Sequence, residues 1–410
     1  PGLQSGASNG DVLTFNGSAI TLASGGGGGS PSSIDITTGT VRLDGPFPVG
    51  TTNTGMGDSA LNSLTTGDYN TCIGDECGQA ITSGNFNSAL GQNALQFNST
   101  GDSNVAMGSN AMANNIASEN VGIGARALYA NTNGTANVAI GRRAMDLNSG
   151  GSNNVAIGFK AQENGGGINE NVAIGREALR NHTSGQQNTA VGNLAYSQGS
   201  GGSGSDAFGH RALYNNTGNF NCGIGTEALF SMQSGSQNTG VGHNAGNNNV
   251  SGMMNTYVGK SAGYNLQAGN NNIIIGRFAT SSGTNVSNEV TFGDGSISTL
   301  RCQVTSITSL SDARDKKDVE DVNLGLDFIN DLRPVKFVWD TRDGAKKDIK
   351  EVGFIAQELD EAQQKHGVED YLQLVLKNNP DKLEATPGKL IPILVQAIKD
   401  LKKEIDELKA

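Results

Sequence analysis

From Asn53 onward, apolar, small and polar positions recur on a fixed beat. Glycine marks it at 57, 74, 91, 108, 124, 141, 158, 175, 192, 209, 225, 242, 259, 276 and 293, and twelve of the fourteen intervals are 17 residues and two are 16. The position before the marker is apolar in all fifteen units, from Met56 and Ile73 to Phe292. The third position after it is alanine in thirteen of the first fourteen, with Cys77 the exception. Columns this uniform are expected to face an interior, and a constant period of this length marks a solenoid whose layers stack and are not stable alone. The commonest strand, Val138-Ala139-Ile140-Gly141, carries Val and Ile on one face and Ala and Gly on the other. No polar residue alternates with them, so both faces are expected to be covered. A narrow coil buries only one face of its strand. A neighbouring chain packed against the small residues is therefore expected on the other, in a symmetric oligomer.

Four positions before the marker, thirteen of fifteen units have asparagine, and seven before it glycine is usual, as at Gly67, Gly84, Gly101, Gly134 and Gly185. These are corner residues, able to take left-handed backbone angles or to hydrogen-bond locally, and stacked asparagines can form ladders along the array. Layers about 4.8 Å apart make fifteen units a rod roughly 70 Å long. Upstream, Gly10 to Gly17 reads as a strand entering a turn, Gly25 to Gly29 as a flexible linker, and Ile34 to Leu43 as one more strand. Downstream, Leu300 to Val304 reads as a closing strand. Beyond it Leu324 to Leu332 has helical spacing ended by Arg333-Pro334, Val335 to Trp339 reads as a strand, and Val352 to Leu359 runs from strand into helix. Ile391, Leu394, Ile398, Leu401, Ile405 and Leu408 make a coiled-coil seam. Its Ile and Leu placement leans toward two strands, against the trimer taken from the roll.

Composition divides the chain at Ser311. Of 59 glycines, 54 precede it, whereas 39 of the 67 charged residues follow. With 35% hydrophobic and 5% aromatic residues the chain is too lean for several ordinary globular cores. A net charge of −11 with no basic arm argues against a nucleic-acid partner, and the lack of an 18-residue apolar run argues against membrane insertion. The start at Pro1 is expected of a fragment or processed form. Cys72, Cys77, Cys222 and Cys302 lack metal-like spacing and are expected to be small buried fillers; no metal or cofactor is implied.

Arg126, Arg142, Arg143, Lys160 and Arg176 fall one or two residues after successive markers, with Arg180 close by. Stacking gathers them into a basic stripe that an acidic surface glycan could bind, or that forms a solvated face closed by Glu177. Tyr129, Phe159 and Tyr196 can offer stacking surfaces or fill gaps. Glycan cleavage needs two carboxyl groups across one cleft. The acidic residues are scattered, and the nearest pair, Asp75 and Glu76, is adjacent and expected to point to opposite faces.

Two resemblances follow from these residues. The unit Asn-Val-Ala-Ile-Gly-x-x-Ala, over about 53 to 295, resembles the head repeat of trimeric bacterial surface adhesins, which implies a trimeric parallel β-roll. Residues 311 to 410 are similar to the intramolecular chaperone domain of phage tailspikes and tail fibres, the S74 self-cleaving endopeptidase family. That likeness is carried by Ser311-Asp312-Ala313-Arg314-Asp315-Lys316, Arg333-Pro334-Val335, Trp339, Gly353-Phe354-Ile355-Ala356-Gln357-Glu358 and the final helix. It implies a trimerising chaperone in which Ser311 is the nucleophile, Lys316 its partner, and the cut lies between Leu310 and Ser311. Lysine serves as a base only when uncharged, which burial on assembly or the nearby charge of Arg314 would promote. Lys317 competes for the role, Asp315 and Asp318 can keep either lysine charged, Asp312 and Arg314 are supporting residues, and the alternative is that Ser311 caps a helix.

The expectation is thus a mainly β chain: a parallel β-roll or β-solenoid of about fifteen repeats, homotrimeric, followed by a small α+β chaperone ending in a coiled coil. Its divisions are 1–24, a linker and entry strand at 25–52, the rod at 53–300, a junction at 301–310 and the chaperone at 311–410. The implied role is a virion tail fibre, extracellular when mature and assembled in the host cytoplasm. Its partners would be a host glycan or protein receptor and other tail proteins on the amino-terminal side. A bacterial adhesin is the rival, though it would need a membrane anchor where Ala410 closes a coiled coil, and a polysaccharide-degrading spike is another.

Overall fold

The computed structural model describes residues 12–15, 20–23, 52–303, 309, 311–342, 344 and 346–409. The chain divides into the units Pro1–Gly45 and Pro46–Ala410. In the first, β1 (Val12–Phe15) and β2 (Ile20–Ala23) pair antiparallel, with Val12 opposite Ala23. The glycine run at 25–29 and the strand expected over 34–43 lie outside the described residues.

The second unit opens with the solenoid. Fifteen three-residue strands, β3 (Thr54–Met56) to β17 (Val290–Phe292), form one parallel sheet in strict chain order, one strand per layer. Register is set by the repeat: in β8 (Val138–Ile140) and β9 (Val155–Ile157), Val138, Ala139 and Ile140 lie opposite Val155, Ala156 and Ile157. The far side of each coil is tied to the next layer by further backbone bonds, such as Leu128 N to Ala144 O at 2.9 Å.

The interior combines columns of alanine with one of larger residues, mostly Leu or Met. Ala139 at the strand centre, Ala144 three after the marker and Met145 beside it are all fully buried, and the same columns form one continuous core along the rod. The alanine column therefore faces inward as expected. The column before the marker does not: it points outward, half-buried at residues such as Ile140 and Ile157 and up to 61% exposed at Phe292. Side chains alternate along a strand, and the strand centre packs against the buried Leu and Met column, so the Val and Ile that flank it point away from the core; Tyr257 and Ile274 show that larger centres are also accommodated. The outward face is the large-residue face, and the small-residue face is the coil's own core, the reverse of the expected assignment.

The corners are resolved in the same detail. Asn137 Nδ2 donates to Gly151 O at 2.8 Å and to Asn120 Oδ1 at 3.1 Å, and Asn137 N donates to the same oxygen at 3.0 Å. This buried ladder repeats layer by layer, and at its two exceptions Ser205 and Glu289 still donate their backbone N–H to the preceding asparagine. The asparagines themselves are not left-handed; the residue before each is, as at Ala136 with φ 55°. Gly134 is required by close approach, since a Cβ there would lie 2.1 Å from Gly151 O. The marker Gly141 is required twice over, by φ 130° and by a Cβ position 2.5 Å from Gly158 O.

After β17 the pattern stops. Residues 300–303 form no strand, contrary to expectation, and Val304 lies outside the described residues. Without the asparagine and alanine columns, nothing supports a sixteenth rung.

The rest is α+β, and its order follows the apolar pattern: α1 (Leu326–Asn330), β18 (Val335–Asp340), β19 (Lys347–Gly353), α2 (Ala356–Lys365), α3 (Glu369–Leu372), β20 (Val375–Leu376), β21 (Glu384–Ala385) and α4 (Ile391–Lys409). β18 and β19 are antiparallel, as are β20 and β21. Phe328, Leu359, Leu372, Leu374, Leu390 and Ile393 make a separate small core. Helix α4 buries Ile393 and Ala397. The whole predicted seam, Ile391, Leu394, Ile398, Leu401, Ile405 and Leu408, is exposed on this single chain.

All four cysteines are free thiols. Cys72 and Cys77 occupy interior columns as expected. Cys222 is half-buried on the outward strand face and Cys302 is exposed beyond the last layer, so neither is a core filler.

Candidate functional site

The segment that opens at Ser311 is shaped by a single turn of 3-10 helix, Ala313–Asp315. Asp312, and not Ser311, caps it: the extended Asp312 (φ −66°, ψ 133°) accepts Arg314 N on its Oδ1 at 2.9 Å. Asp315 N donates to Asp312 O at 3.1 Å and Lys316 N to Ala313 O at 3.2 Å, which closes the turn. Short polar side chains do this because their oxygen satisfies an amide that the turn leaves open.

The turn folds the chain back so that residues 311 and 316 meet. Lys316 Nζ donates to Ser311 Oγ at 2.7 Å. Lys317 does not share this contact; its Nζ lies 3.9 Å from Asp318 Oδ2, on a fully solvated side. Among the described residues no ion pair joins Asp315 to either lysine. Arg314 turns onto Asp312, with Nε at 3.0 Å and Nη2 at 2.6 Å, so its charge is spent locally and is not aimed at Lys316. The hydrogen bonds from Arg314 hold the Asp312 carboxyl below its usual range. Ser311 and Lys316 are both exposed in the single chain. Leu310, on the other side of the expected cut, lies outside the described residues.

A second cluster sits on an outer edge of the rod. The stripe expected from sequence forms, but three carboxylates are threaded through it. Arg126 and Arg143 both pair with Asp146, at 3.0 and 2.8 Å. Glu163 takes Arg143 at 2.8 Å, Arg180 at 2.8 Å and Lys160 at 3.4 Å. Glu177 takes Arg176 at 2.8 Å and Arg180 at 3.2 Å. Asp146 and Glu163 are buried, at 0% and 3% side-chain exposure, and hydrogen bonds to them raise Arg143 and Arg180 above the ordinary guanidinium range. Asp146 and Glu163 stand five residues after their markers, against the arginines of the same or an adjacent layer, and this column register was the signal available in the sequence. Arg126 lies over the Tyr129 ring at 4.2 Å and Arg142 near the Phe159 ring at 5.7 Å. Tyr196, by contrast, is wholly inside the coil.

Asp75 and Glu76 sit in the turn after their marker glycine and not in a strand, so the strand-alternation argument does not apply to them. Each is engaged by a glutamine further along the rod, Asp75 by Gln92 at 3.5 Å and Glu76 by Gln96 at 2.6 Å. Among the described residues no group of three or more His, Cys, Asp or Glu side chains is placed to hold a metal, and no helix is long and apolar enough to cross a membrane.

Residues 311–368 match the model of a family described as the chaperone of endosialidase, peptidase S74. The match begins at the serine of the Ser311–Lys316 pair and spans α1, β18, β19 and α2. No curated protein matches the chain.

Proposed function

We propose that the chain is one strand of a trimeric viral tail fibre or tailspike that recognises a host surface, built with a C-terminal chaperone that removes itself by cutting between Leu310 and Ser311. The observation that carries this reading is the Ser311–Lys316 hydrogen bond at the first residues of the family match. A serine hydroxyl becomes a useful nucleophile when a base takes its proton, and a lysine does so once desolvation favours its neutral form. The pair is geometrically ready but open to water on a lone chain, so covering it by assembly ties cleavage to correct trimerisation.

The trimer is supported by surfaces that a lone chain leaves bare. The outward Val, Ile, Met and Phe column runs through all fifteen layers, and the seam of α4 is unpaired. A contiguous apolar stripe of that length marks an association surface. Parallel stacking of three long strands is slow to nucleate and exposes strand edges meanwhile. A clamp that aligns the ends solves this, and its loss afterwards holds the rod kinetically.

On the rod, five cations share three carboxylates in the stripe and Arg142 adds another, a local excess of positive charge on a chain of net charge −11. An acidic host glycan is the receptor chemistry this edge fits, and three copies supply avidity. Such a fibre resides in the virion, is extracellular when mature and is assembled in the host cytoplasm, with its amino-terminal side joined to other tail proteins. Denaturing mass analysis of the purified chain beside Ser311→Ala tests the cut. Native material is expected to yield a fragment ending at Leu310 and the variant to stay whole; two intact proteins would remove self-cleavage from the reading.

A further inference from the structure

We propose that the column one residue after the marker glycines binds a linear polysaccharide of alternating acidic and neutral sugars, laid along the rod axis at one sugar per layer. This deepens the acidic-glycan reading of the preceding section and rests on it. From Arg142 onward the column places a basic side chain in every second layer: Arg142, Arg176, His210, His243 and Arg277. Between them stand the uncharged Phe159, Asn193 and Thr226, and Lys260 alone breaks the alternation. Register is continuous along this line. Lys160 N donates to Arg142 O at 3.1 Å, Glu227 N to His210 O at 2.9 Å and Phe278 N to Lys260 O at 2.9 Å, so the 16-residue interval between Gly209 and Gly225 does not shift the column.

These cations differ from those one position further on. Arg143, Lys160 and Arg211 are held by Asp146, Glu163 and Glu227. Arg142 and Arg277 enter no ion pair among the described residues and lie by the Phe159 and Phe278 rings, at 5.7 and 4.7 Å. Arg176 touches Glu177 at 2.8 Å yet keeps its side chain 58% exposed. His210 and His243 are exposed as well, and Phe159 is half-buried. From Arg142 to Arg277 the column holds no aliphatic side chain, so it stays in water when the apolar column on the strand is covered.

The period selects the ligand. Two layers separate successive basic groups by roughly 10 Å. An extended peptide shows side chains on one face every ~6.7 Å and falls out of step, and a nucleic-acid strand is charged at every nucleotide. A sugar ring linked equatorially at opposite corners advances nearly one layer, so an acid on every second sugar meets a basic group each time. The neutral sugar between rests on Phe159 or hydrogen-bonds with Asn193 and Thr226. A chain charged at every sugar would press a carboxylate on Phe159 with no partner, which costs desolvation. At the amino-terminal end Asp58 and Asp75 occupy the same column and repel an anion, which limits the site to the layers from Arg142 onward.

The test is calorimetry of the purified full chain at low salt with two probes of about ten sugars. One is hyaluronan, alternating uronate and neutral N-acetylhexosamine, and the other a β-1,4-oligoglucuronate, charged at every sugar. Hyaluronan is expected to bind about tenfold more tightly although it carries half the charge. Equal or tighter oligoglucuronate binding would overturn the alternation and leave the acidic-glycan reading standing; binding of neither probe would sink that reading and this inference with it. The double variant Arg142→Gln, Arg277→Gln has no ion pair to lose and should lose on the order of tenfold in hyaluronan affinity; wild-type affinity would overturn the column as the site. Thr226→Arg puts a charge in a neutral layer and should narrow the preference toward oligoglucuronate, and an unchanged preference would overturn the register. A single-stranded oligonucleotide bound more tightly than hyaluronan would overturn the choice of a glycan.

Discussion

His182 places a titratable ring inside the rod, and replacing it with asparagine should change how the rod responds to acid. It lies seven residues after the marker Gly175, a corner that other layers give to asparagine, as at Asn98, Asn131 and Asn148. There Asn148 Oδ1 accepts Gly151 N at 3.1 Å and its Nδ2 donates to Gly151 O at 3.1 Å. His182 is fully buried, packs edge-on to Tyr196 at 4.9 Å, and has Nε2 3.0 Å from Asn188 Nδ2, while Nδ1 finds no hydrogen-bond partner. Burial pushes the imidazole down from 6.5 to about 4. The unfolded chain therefore binds a proton between those values that the folded chain refuses. Stability is complete above about pH 6.5 and falls as pH drops toward 4. Between pH 7.5 and 4.5 the loss comes to roughly 2–3 kcal/mol per chain. Calorimetry of wild type and His182→Asn at both pH values isolates the contribution, because every other group titrates in both proteins. The variant should lose less stability on acidification by about that amount. An identical pH response in the two proteins would refute the claim that the ring is held neutral.

Three further outcomes are expected. Asn137→Ala leaves Asn154 N without a partner inside the coil, while Gly151 O keeps Asn148 Nδ2 and Asn154 Nδ2 keeps Ile168 O, and should destabilise the rod by about 1–3 kcal/mol, read from thermal unfolding. Ile174→Asp, on the outward column at 37% exposure, should leave the circular dichroism of the layers intact yet abolish trimers in sedimentation; unaltered trimers would mean that this face is not the interface. Glu163→Gln frees Arg143, Lys160 and Arg180 from their shared carboxylate and should cost about 1–3 kcal/mol, discounted for the partly exposed cations, with a lowered melting temperature as the measure.

Periodicity was legible because stacking imposes one environment on each column. A layer that must fit between two copies of itself fixes where Gly141, Asn137 and Ala144 stand, and those constraints are written into every repeat. Heptad spacing exposed the seam of α4, and the family resemblance pointed to Ser311 and Lys316. What the columns did not carry was direction. Both strand faces are apolar, so the pattern alone could not say that Ala139 points in and Ile140 out. Only the folded coil decided it, because the strand centre packs against the buried Leu and Met column, as at Met112, Leu213 and Leu229, and the residues flanking it then point away. The stripe of arginines likewise looked opposed by Glu177 alone until folding set Asp146 and Glu163 beneath it, since those carboxylates lie up to 20 residues away in the chain and only one layer away in space. At Ser311 the family resemblance pointed to the two side chains that the fold brings to 2.7 Å. Which residue caps the turn, and where Arg314 directs its charge, depended on backbone angles that no spacing records.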